Sequence, residues 1–404
     1  MKRQRKEQPD VVVAGAGFAG TVIARELAEA GKHVLLLEKR EHIGGNMYDE
    51  KNADGILIHR YGPHIFHTND AAVYEYVRRF GTWTPYYHQV RGKIGGKEVP
   101  IPFNFQAMEQ LFPAEKVSRL QQKLRFLFRE RKRVSVMELL ECSEKEIAEL
   151  GQFVYDFVFA GYTAKQWGVP VDQVDRSVIN RVPVVLGYEN GYFADVYQLM
   201  PQEGYTSIFE TMLRHPRIQC CLGTDAQTRI TLQENGTIWL DGTVFHGVFV
   251  YTGMPDELLH YRYGTLPYRS LDLQFETLQL ESAQSVGVVN YPNSEAFTRI
   301  TEFKKLTGQK KSGITTILRE YPTAFARQEG QEAYYPIENP ENRARYERYR
   351  TALATWNQLY LCGRLAEYRY YNMDGVVARA LQVSQEILER KSLSNDSRTA
   401  CLLT

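Results

Sequence analysis

The feature that most constrains this chain is a strand–turn–helix pattern built around three glycines. Three apolar residues, Val11, Val12 and Val13, lead into Ala14-Gly15-Ala16-Gly17-Phe18-Ala19-Gly20, and the residues that follow have helical character. In such a pattern the first glycine allows a sharp turn, the second leaves room for a pyrophosphate, and the third lets the helix pack on the strand. The free N–H groups at the helix N-terminus can then bind phosphate. The pattern predicts dinucleotide binding, and the alternative is a tight turn in an unrelated α/β unit.

A second glycine turn indicates which dinucleotide is bound. The apolar run Val34-Leu35-Leu36-Leu37 ends at Glu38, where an acidic side chain can reach a ribose hydroxyl. The segment His42-Ile43-Gly44-Gly45-Asn46 follows closely, a pattern that is common in FAD proteins of the glutathione-reductase and amine-oxidase types and unusual in NAD enzymes. We therefore predict one extended FAD rather than NAD. The residues assigned to it here are Gly15, Gly17, Ala19, Gly20, Glu38, Lys39, Gly45 and Asn46.

Composition excludes several other classes of protein. With 404 residues the chain is long enough for two or three domains of roughly 150 residues each. A net charge of +1 argues against a nucleic-acid partner. No apolar run approaches the roughly 18–20 residues of a membrane span, and the N-terminus lacks the apolar stretch of a signal peptide. The 5 scattered cysteines form no CxxC pair, so we expect a reduced, cytoplasmic protein without structural zinc.

Apolar spacing divides the remaining chain into helical and strand regions. Leu120, Leu124, Leu127 and Phe128 recur at helical intervals, which predicts helices that continue to about residue 160. Further along, the pattern predicts a helix over 204–213, strands within 223–251, 271–280 and 286–300, a buried strand at 359–364, and a helix from 374 to about 390.

The predicted fold class is α/β, with a discontinuous Rossmann-like FAD-binding domain, a helical insertion and an antiparallel β-sheet substrate domain. We assign 1–81, 198–255 and 356–392 to the FAD-binding domain, 104–178 to the helical domain, 82–103, 179–197 and 256–355 to the β-sheet domain, and 393–404 to a flexible tail.

Two aromatic segments have the residue types of binding sites. Tyr61-Gly62-Pro63-His64-Ile65-Phe66-His67-Thr68 has glycine and proline that could shape backbone against a flat ring. His64 and His67 could bind a metal, but no Cys or carboxylate cluster completes a site, so we predict none. Gly161-Tyr162-Thr163-Ala164-Lys165-Gln166-Trp167-Gly168 offers stacking faces and hydrogen bonds to a heterocyclic base, and core packing at a helix end is the alternative.

Three arginines lie near aromatic residues and could bind phosphate. The planar guanidinium of Arg181, Arg299 or Arg364 matches phosphate oxygens, although any one of them could instead form a surface ion pair. Two such residues could neutralise a diphosphate other than that of FAD. The predicted helix N-terminus at Asp374-Gly375-Val376 could stabilise negative charge at the flavin edge or on a phosphate.

Taken together, these segments resemble the prokaryotic type of the UDP-galactopyranose mutase family. The resemblance extends in order from about residue 9 to 390. Its motifs are GxGxxG with EKR-x-HIGGN, YGPHIFHTN, GYTAKQWG, RVPV with NGYF, YTG, YRYG with YRSL, FTRITEFK, YYPI and GRLAEYRYYNMDG.

The resemblance implies FAD-dependent interconversion of UDP-galactopyranose and UDP-galactofuranose without net redox change. N5 of the reduced flavin would act as the nucleophile at the anomeric carbon, so that the cofactor rather than a side chain forms the covalent bond. It also implies a cytoplasmic homodimer, paired through the helical insertion, that supplies galactofuranose for cell-wall or polysaccharide biosynthesis.

The same resemblance implies roles for individual residues. Arg181, Arg299, His64 and Arg364 become the catalytic set: the first two grip the diphosphate, and the other two lie beside the flavin. Arg181 would lie on a mobile loop near 173–184. The implied substrate contacts are His88, Tyr162, Thr163, Trp167, Arg181, Tyr192, Asn290, Arg299, Tyr335, Tyr370 and Asn372, and the further FAD contacts are His64, Ile65, Arg364, Met373, Asp374 and Gly375.

Three positions depart from the family pattern. Val185 replaces a frequent arginine, Asn372 replaces a frequent aspartate, and His88 stands where an asparagine is expected. The last two leave UDP-N-acetylgalactosamine and dTDP-fucopyranose open as substrates. An amine-oxidase-like flavin oxidoreductase and a non-catalytic FAD-binding protein remain alternatives from other functional classes.

Overall fold

The computed structural model describes residues 8–168 and 183–400, with Trp167 and 391–400 described by their backbone alone. The helices are α1 (Phe18–Glu29), α2 (Ala71–Arg78), α3 (Phe105–Leu111), α4 (Ala114–Phe128), α5 (Val136–Leu140), α6 (Lys145–Val154), α7 (Gly161–Trp167), α8 (Tyr205–Leu213), α9 (Pro255–Leu258), α10 (Phe303–Thr307), α11 (Pro340–Leu353) and α12 (Met373–Ala400). Short 3₁₀ turns occur at Gly45–Met47 and Ala226–Thr228, and a π-helical turn at Tyr155–Ala160.

The strands, in chain order, are β1 (Val11–Ala14), β2 (Val34–Leu37), β3 (Asp49–Lys51), β4 (Leu57–His59), β5 (Phe66–Thr68), β6 (Trp83–Pro85), β7 (Val90–Ile94), β8 (Lys97–Ile101), β9 (Arg133–Val134), β10 (Val184–Val185), β11 (Tyr197–Pro201), β12 (Ile218–Cys221), β13 (Ile230–Leu232), β14 (Ile238–Leu240), β15 (Thr243–Phe245), β16 (Val248–Tyr251), β17 (Tyr268–Leu278), β18 (Val288–Asn290), β19 (Arg299–Glu302), β20 (Thr315–Ala324), β21 (Tyr335–Pro336) and β22 (Leu359–Leu361).

A five-stranded parallel sheet forms the centre of the dinucleotide-binding part. Its order is β12-β2-β1-β16-β22, and Val11 pairs with Val34 on one side and Val248 on the other. Every residue of β1, β2 and β16 is buried, as expected for strands covered on both faces. The carboxyl ends of these strands meet at one edge, which is where ligands bind in sheets of this type.

A second, seven-stranded sheet lies alongside, in the order β21-β17-β20-β19-β18-β7-β8. Its neighbours are antiparallel except β18 and β7, which are parallel, so the sheet predicted as antiparallel is mixed. The β18–β19 hairpin places Asn290 opposite Arg299, and β20 places Glu320 opposite Arg299 on the other side. This register determines which side chains share one face of the sheet.

Helices α3–α6 and the π-helical turn share one core with strands β7, β8 and β18 at one end of the seven-stranded sheet. Leu120 and Leu124 are fully buried there with Leu139, Ile147 and Val154, whereas Leu127 is 40% exposed. Leu127 has the spacing of the buried face but lies in the last turn of α4, which ends at Phe128. The helices continue through the π-helical turn into α7, as the spacing predicts.

Two predicted elements differ from their observed forms. The strand predicted as buried near residue 359 is β22, which is half-buried because it forms the edge of the parallel sheet. The last helix continues to Ala400, beyond the predicted end near residue 390. Within the described residues, no helix combines the length and the apolarity needed to cross a bilayer.

Candidate active site

A first cavity of about 260 Å³ opens at the carboxyl edge of the parallel sheet. It is bounded by the β1–α1 turn, the end of β2, the Gly44-Gly45 turn and the segments that follow β16 and β22. The predicted cofactor residues that line it are Gly15, Gly17, Ala19, Glu38, Lys39, Gly45, Asn46, His64, Arg364 and Met373. The cavity therefore lies where the glycine pattern places a dinucleotide.

Three glycines bring backbone close together at this cavity. Gly15 has a φ of +103°, and a Cβ on it would lie 2.1 Å from Thr252 Oγ1. A Cβ on Gly20 would lie 1.9 Å from the Gly15 carbonyl oxygen, so that residue serves helix–strand packing rather than the cavity wall. At Gly17 the nearest atom to an added Cβ is Gly45 Cα, 3.8 Å away. The two glycine turns thus line the cavity with bare backbone.

Glu38 connects the end of β2 to the first glycine turn and to the segment that follows β2. Its buried carboxylate accepts hydrogen bonds from the backbone N–H groups of Ala16, at 2.7 Å, and Arg40, at 2.9 Å. Each carboxylate oxygen retains a lone pair for a further donor. The geometry leaves Glu38 able to accept from a hydroxyl in the cavity while fixing the shape of the turn.

Arg40 and Glu332 form an ion pair that motif spacing did not single out. Arg40 Nη2 lies 2.5 Å from the Glu332 carboxylate and 2.9 Å from Asn46 Oδ1, and the guanidinium lies 4.4 Å from the centre of the Tyr61 ring. This group closes the first cavity on the side of the β20–β21 connection. The sequence motif Glu38-Lys39-Arg40 could have indicated Arg40 as a site residue, whereas no motif near Glu332 indicates a role for it.

A second cavity of about 220 Å³ adjoins the first. Asn46, His64, Tyr334, Arg364 and Met373 line both cavities and form the wall between them. The other predicted site residues in the second cavity are Ile65, His88, Tyr162, Tyr192, Asn290, Arg299, Tyr335, Tyr370 and Asn372. Residues from many distant parts of the sequence therefore meet around one space.

Arg299 is the cation on the sheet floor of the second cavity. Its Nε lies 2.5 Å from the carboxylate of Glu320, which is 2% exposed. Burial opposes the charged guanidinium, but the Glu320 carboxylate outweighs it and the pKa of Arg299 is raised. Burial likewise raises the pKa of the Tyr162 hydroxyl, with Arg299 opposing. Arg299 is therefore charged, and Tyr162 is a neutral donor.

Arg364 is held rigidly at the shared wall by backbone. Its Nη2 and Nε donate to the Tyr371 carbonyl oxygen at 2.6 and 3.2 Å, and its Nη1 donates to that of Tyr334 at 3.2 Å. The guanidinium lies 5.1 Å from the ring centres of both Tyr335 and Tyr370. Since no carboxylate neutralises it in these contacts, Arg364 supplies positive charge where the two cavities meet.

Three histidines at or near this wall are neutral: His59 and His88 are buried, and His64 is half-buried. His64 donates its backbone N–H to His59 Nδ1 at 3.0 Å. Burial lowers the pKa of His64 to about 3, of His59 to about 4 and of His88 to about 3. His88 is packed against Tyr192 and Phe193, and its Nδ1 has no hydrogen-bond partner within the described part of the chain.

We expect these histidines to make folding stability depend on mildly acidic pH. Their folded pKa values lie below the ordinary value of 6.5, so unfolding takes up protons as pH falls below 6.5. The stability they contribute is complete above that pH and is lost progressively down to about pH 3. Wild-type protein should lose unfolding free energy between pH 7 and pH 5, and His88→Phe should make that loss smaller by about 2 kcal/mol.

Denaturant unfolding at the two pH values measures this difference. The matched control is His246→Phe, which makes the same substitution at an exposed histidine. Equal pH dependence in wild type and His88→Phe would contradict a neutral buried His88.

Some predicted residues fall outside the described part of the chain, and others do not line the cavity predicted for them. Arg181 lies outside the described residues, as does the side chain of Trp167. Thr163 is buried, Ile65 lines the second cavity rather than the first, and Gly20, Asp374 and Gly375 do not line either cavity. His67 pairs with Asp195 at 2.9 Å, and within the described chain no group of three His, Cys, Asp or Glu residues could hold a metal.

The fold and the joined cavities define a class: a Rossmann-type dinucleotide-binding protein with an arginine- and tyrosine-lined cavity next to the dinucleotide cavity. Two models of known protein families match the chain and agree with this class. The NAD(P)-binding Rossmann-like domain profile matches residues 13–80, and the profile described as GLF, UDP-galactopyranose mutase, matches residues 157–370. The chain belongs to the UDP-galactopyranose mutase family, an isomerase family.

Individual relatives support the same assignment along nearly the whole chain. UDP-galactopyranose mutase of Mycoplasma pneumoniae is 34% identical over 94% of this chain and 96% of its own length. dTDP-fucopyranose mutase of Escherichia coli is 31% identical over 93% of this chain and 97% of its own length. A crystal structure of reduced UDP-galactopyranose mutase superposes with a TM-score of 0.70 at 17% identity, covering 95% of this chain and 94% of that one. The predicted family and fold class are confirmed.

Proposed function

We propose that the protein interconverts UDP-galactopyranose and UDP-galactofuranose, with reduced FAD in the first cavity and the sugar nucleotide in the second. The observation that carries the proposal is the shared wall, where His64 and Arg364 face both cavities. A reaction between a cofactor and a sugar requires such contact between two otherwise separate sites. Family membership supports the choice of reaction.

The residues of the first cavity fit FAD. Gly17 and Gly45 present bare backbone where a pyrophosphate needs close approach, and a Cβ on Gly17 would make only ordinary contact with protein, at 3.8 Å from Gly45 Cα. The N-terminus of α1 begins at Phe18, directly beyond that turn, and its N–H groups can bind the phosphates. We assign Glu38 to a ribose hydroxyl and Ile65, Met373, Asp374 and Gly375 to the surroundings of the flavin end.

When bound, the reduced flavin supplies a nucleophilic nitrogen for the anomeric carbon and returns unchanged, so the isomerisation consumes no electrons. The chain itself binds, orients and neutralises. Arg299, with Arg181, offsets the charge of the departing nucleoside diphosphate. Arg364 adds positive charge at the wall, and the neutral His64 packs there without repelling it.

The remaining cavity side chains would fix the substrate in place. We assign the hydroxyls of Tyr192, Tyr335 and Tyr370 to the diphosphate, and Tyr162, Thr163 and Trp167 to the uridine side. Asn290 would lie near the sugar. The two stacked rings of Tyr335 and Tyr370, 5.9 Å apart, and the Arg364 cation beside them give this side a rigid surface.

A second candidate substrate is dTDP-fucopyranose. The specific observation is that His88 and Asn372, the two departures from the family pattern, both line the second cavity. A dTDP-fucopyranose mutase is also among the relatives, at 31% identity. UDP-N-acetylgalactosamine is a further possibility for the same chemistry, and an amine-oxidase-like reaction is the least favoured because such a substrate needs no diphosphate grip.

We extend the proposal to organisation and location. The domain division given above, a homodimer paired through the helical insertion and a cytoplasmic location are part of it, as is a role in polysaccharide biosynthesis. Exposed Phe126 and Leu127 on α4 support pairing, since each places apolar surface in water. Cys142, Cys220, Cys221 and Cys362 are free thiols, which supports a reducing compartment.

Incubation of the reduced protein with candidate substrates tests the proposed function. UDP-galactofuranose, UDP-N-acetylgalactosamine and dTDP-fucose are supplied separately, and chromatography follows conversion. We expect UDP-galactofuranose to be converted to UDP-galactopyranose fastest. Faster conversion of dTDP-fucose would assign the second candidate, and no conversion of any nucleotide sugar would contradict a mutase.

A further inference from the structure

Lys165 lies on α7 and contacts three carbonyl oxygens of one loop. Its Nζ donates to the carbonyls of Glu295 at 2.9 Å, Phe297 at 3.0 Å and Tyr291, all in the segment between β18 and β19. An ammonium group has three donors, and these bonds use all of them. Partial burial lowers the pKa of Lys165, with Glu295 opposing. Because all three donors of this half-buried lysine bond to backbone, its side chain holds α7 at a fixed distance from the loop.

The same face of α7 approaches that loop closely. Gly161 lies one helical turn before Lys165, so the two residues share a face. A Cβ on Gly161 would lie 1.9 Å from the Pro292 carbonyl oxygen. Gly161 allows the helix and the loop to touch, and Lys165 bonds them together.

The two elements that Lys165 joins carry residues of the second cavity. Tyr162 comes from α7, while Asn290 and Arg299 flank the bonded loop at the ends of β18 and β19. The other end of α7 is also fixed, because Arg269 donates from Nε to the Gln166 carbonyl at 3.0 Å. The separation of α7 from the hairpin therefore sets the distance between Tyr162 and Arg299.

We propose that Lys165 is a positioning residue that sets the width of the second cavity, so that Tyr162 on the uridine side and Arg299 at the diphosphate contact the same substrate together. The inference rests on the proposed function in one respect, which is the assignment of the second cavity to a nucleotide sugar. Lys165 itself does not line that cavity and need not touch the substrate.

The test measures UDP affinity of the flavin-loaded protein rather than turnover. Lys165→Met should raise the dissociation constant of UDP about tenfold, or about 1.4 kcal/mol, while flavin content and the visible spectrum stay unchanged. Lys165→Arg should recover part of the affinity, since a guanidinium can still donate to more than one of the carbonyls. Gly161→Ala should produce the same weakening by pushing the loop away from the helix.

Lys305→Met is the matched control. Lys305 donates to a single carbonyl, that of Ser285 at 3.3 Å, on the exposed surface, so its removal should leave UDP affinity unchanged. Should Lys165→Met not fold, Gly161→Ala decides the question. If Lys165→Met binds UDP as tightly as wild type, whether or not its melting temperature falls, the inference about Lys165 is wrong but the proposed function is not affected. Wild-type protein that binds no UDP would overturn the proposed function and this inference with it.

Discussion

Arg299→Ala should lower kcat/KM by about 10²- to 10³-fold, because it removes a preorganised charge-assisted contact to the departing diphosphate. The loss has two physical parts. The second cavity loses a guanidinium, and the buried Glu320 carboxylate is left without that guanidinium, close to where an anionic substrate must bind. Steady-state assays with UDP-galactofuranose measure the effect, and Arg181→Ala should give a loss of the same order.

Folding must be checked, since an unpaired buried charge costs about 3–5 kcal/mol. Arg299→Lys keeps a cation near Glu320 but loses the planar fork, so we expect a folded protein with an intermediate loss. Arg319→Ala is the matched control, because Arg319 lies on the neighbouring strand β20 and pairs with Glu276 on the partly exposed side of the sheet. Full activity in folded Arg299→Ala would contradict a role for Arg299 in binding the departing diphosphate.

Activity should depend entirely on the reduced state of the protein, although the reaction itself transfers no net electrons. We expect the oxidised protein to be inactive and dithionite or NAD(P)H to restore turnover, because only the electron-rich flavin is nucleophilic. An anaerobic assay that counts product formed against reductant consumed is the measurement. Many product molecules should form per reducing equivalent.

Stoichiometric consumption of reductant would contradict this expectation and would indicate an oxidoreductase. A matched control is Arg319→Ala protein, which should show the same dependence as wild type. Full turnover by protein freed of its flavin would contradict the cofactor assignment as well.

The dinucleotide cavity was predictable because its determinants lie close together in sequence. Gly15, Gly17, Gly20 and Glu38 follow one another within a single β-α-β unit, and each occupies the place that its chemistry requires. Local steric rules are enough for such a turn, since only glycine tolerates the φ of Gly15 or the contact made by Gly20.

The partners of the charged residues were not predictable in the same way. Glu320 pairs with Arg299 only because β19 and β20 adopt one antiparallel register, and Glu332 meets Arg40 across almost three hundred residues of sequence. A one-residue slip in register would turn Glu320 to the opposite face of the sheet. Residue spacing along the chain carries no information about such pairs, so the electrostatics of the site required the fold.

The order of strands in the parallel sheet has a consequence for how the protein is made. The central strand β1 pairs with β16, and the shared wall needs Arg364 and Met373, which follow β22. When only the first half of the chain has left the ribosome, the glycine turns have been made, but the later segments that line the rest of the first cavity have not. We therefore expect the proposed FAD to bind only when translation is nearly complete, and a truncated nascent chain that ends before β22 should carry no flavin.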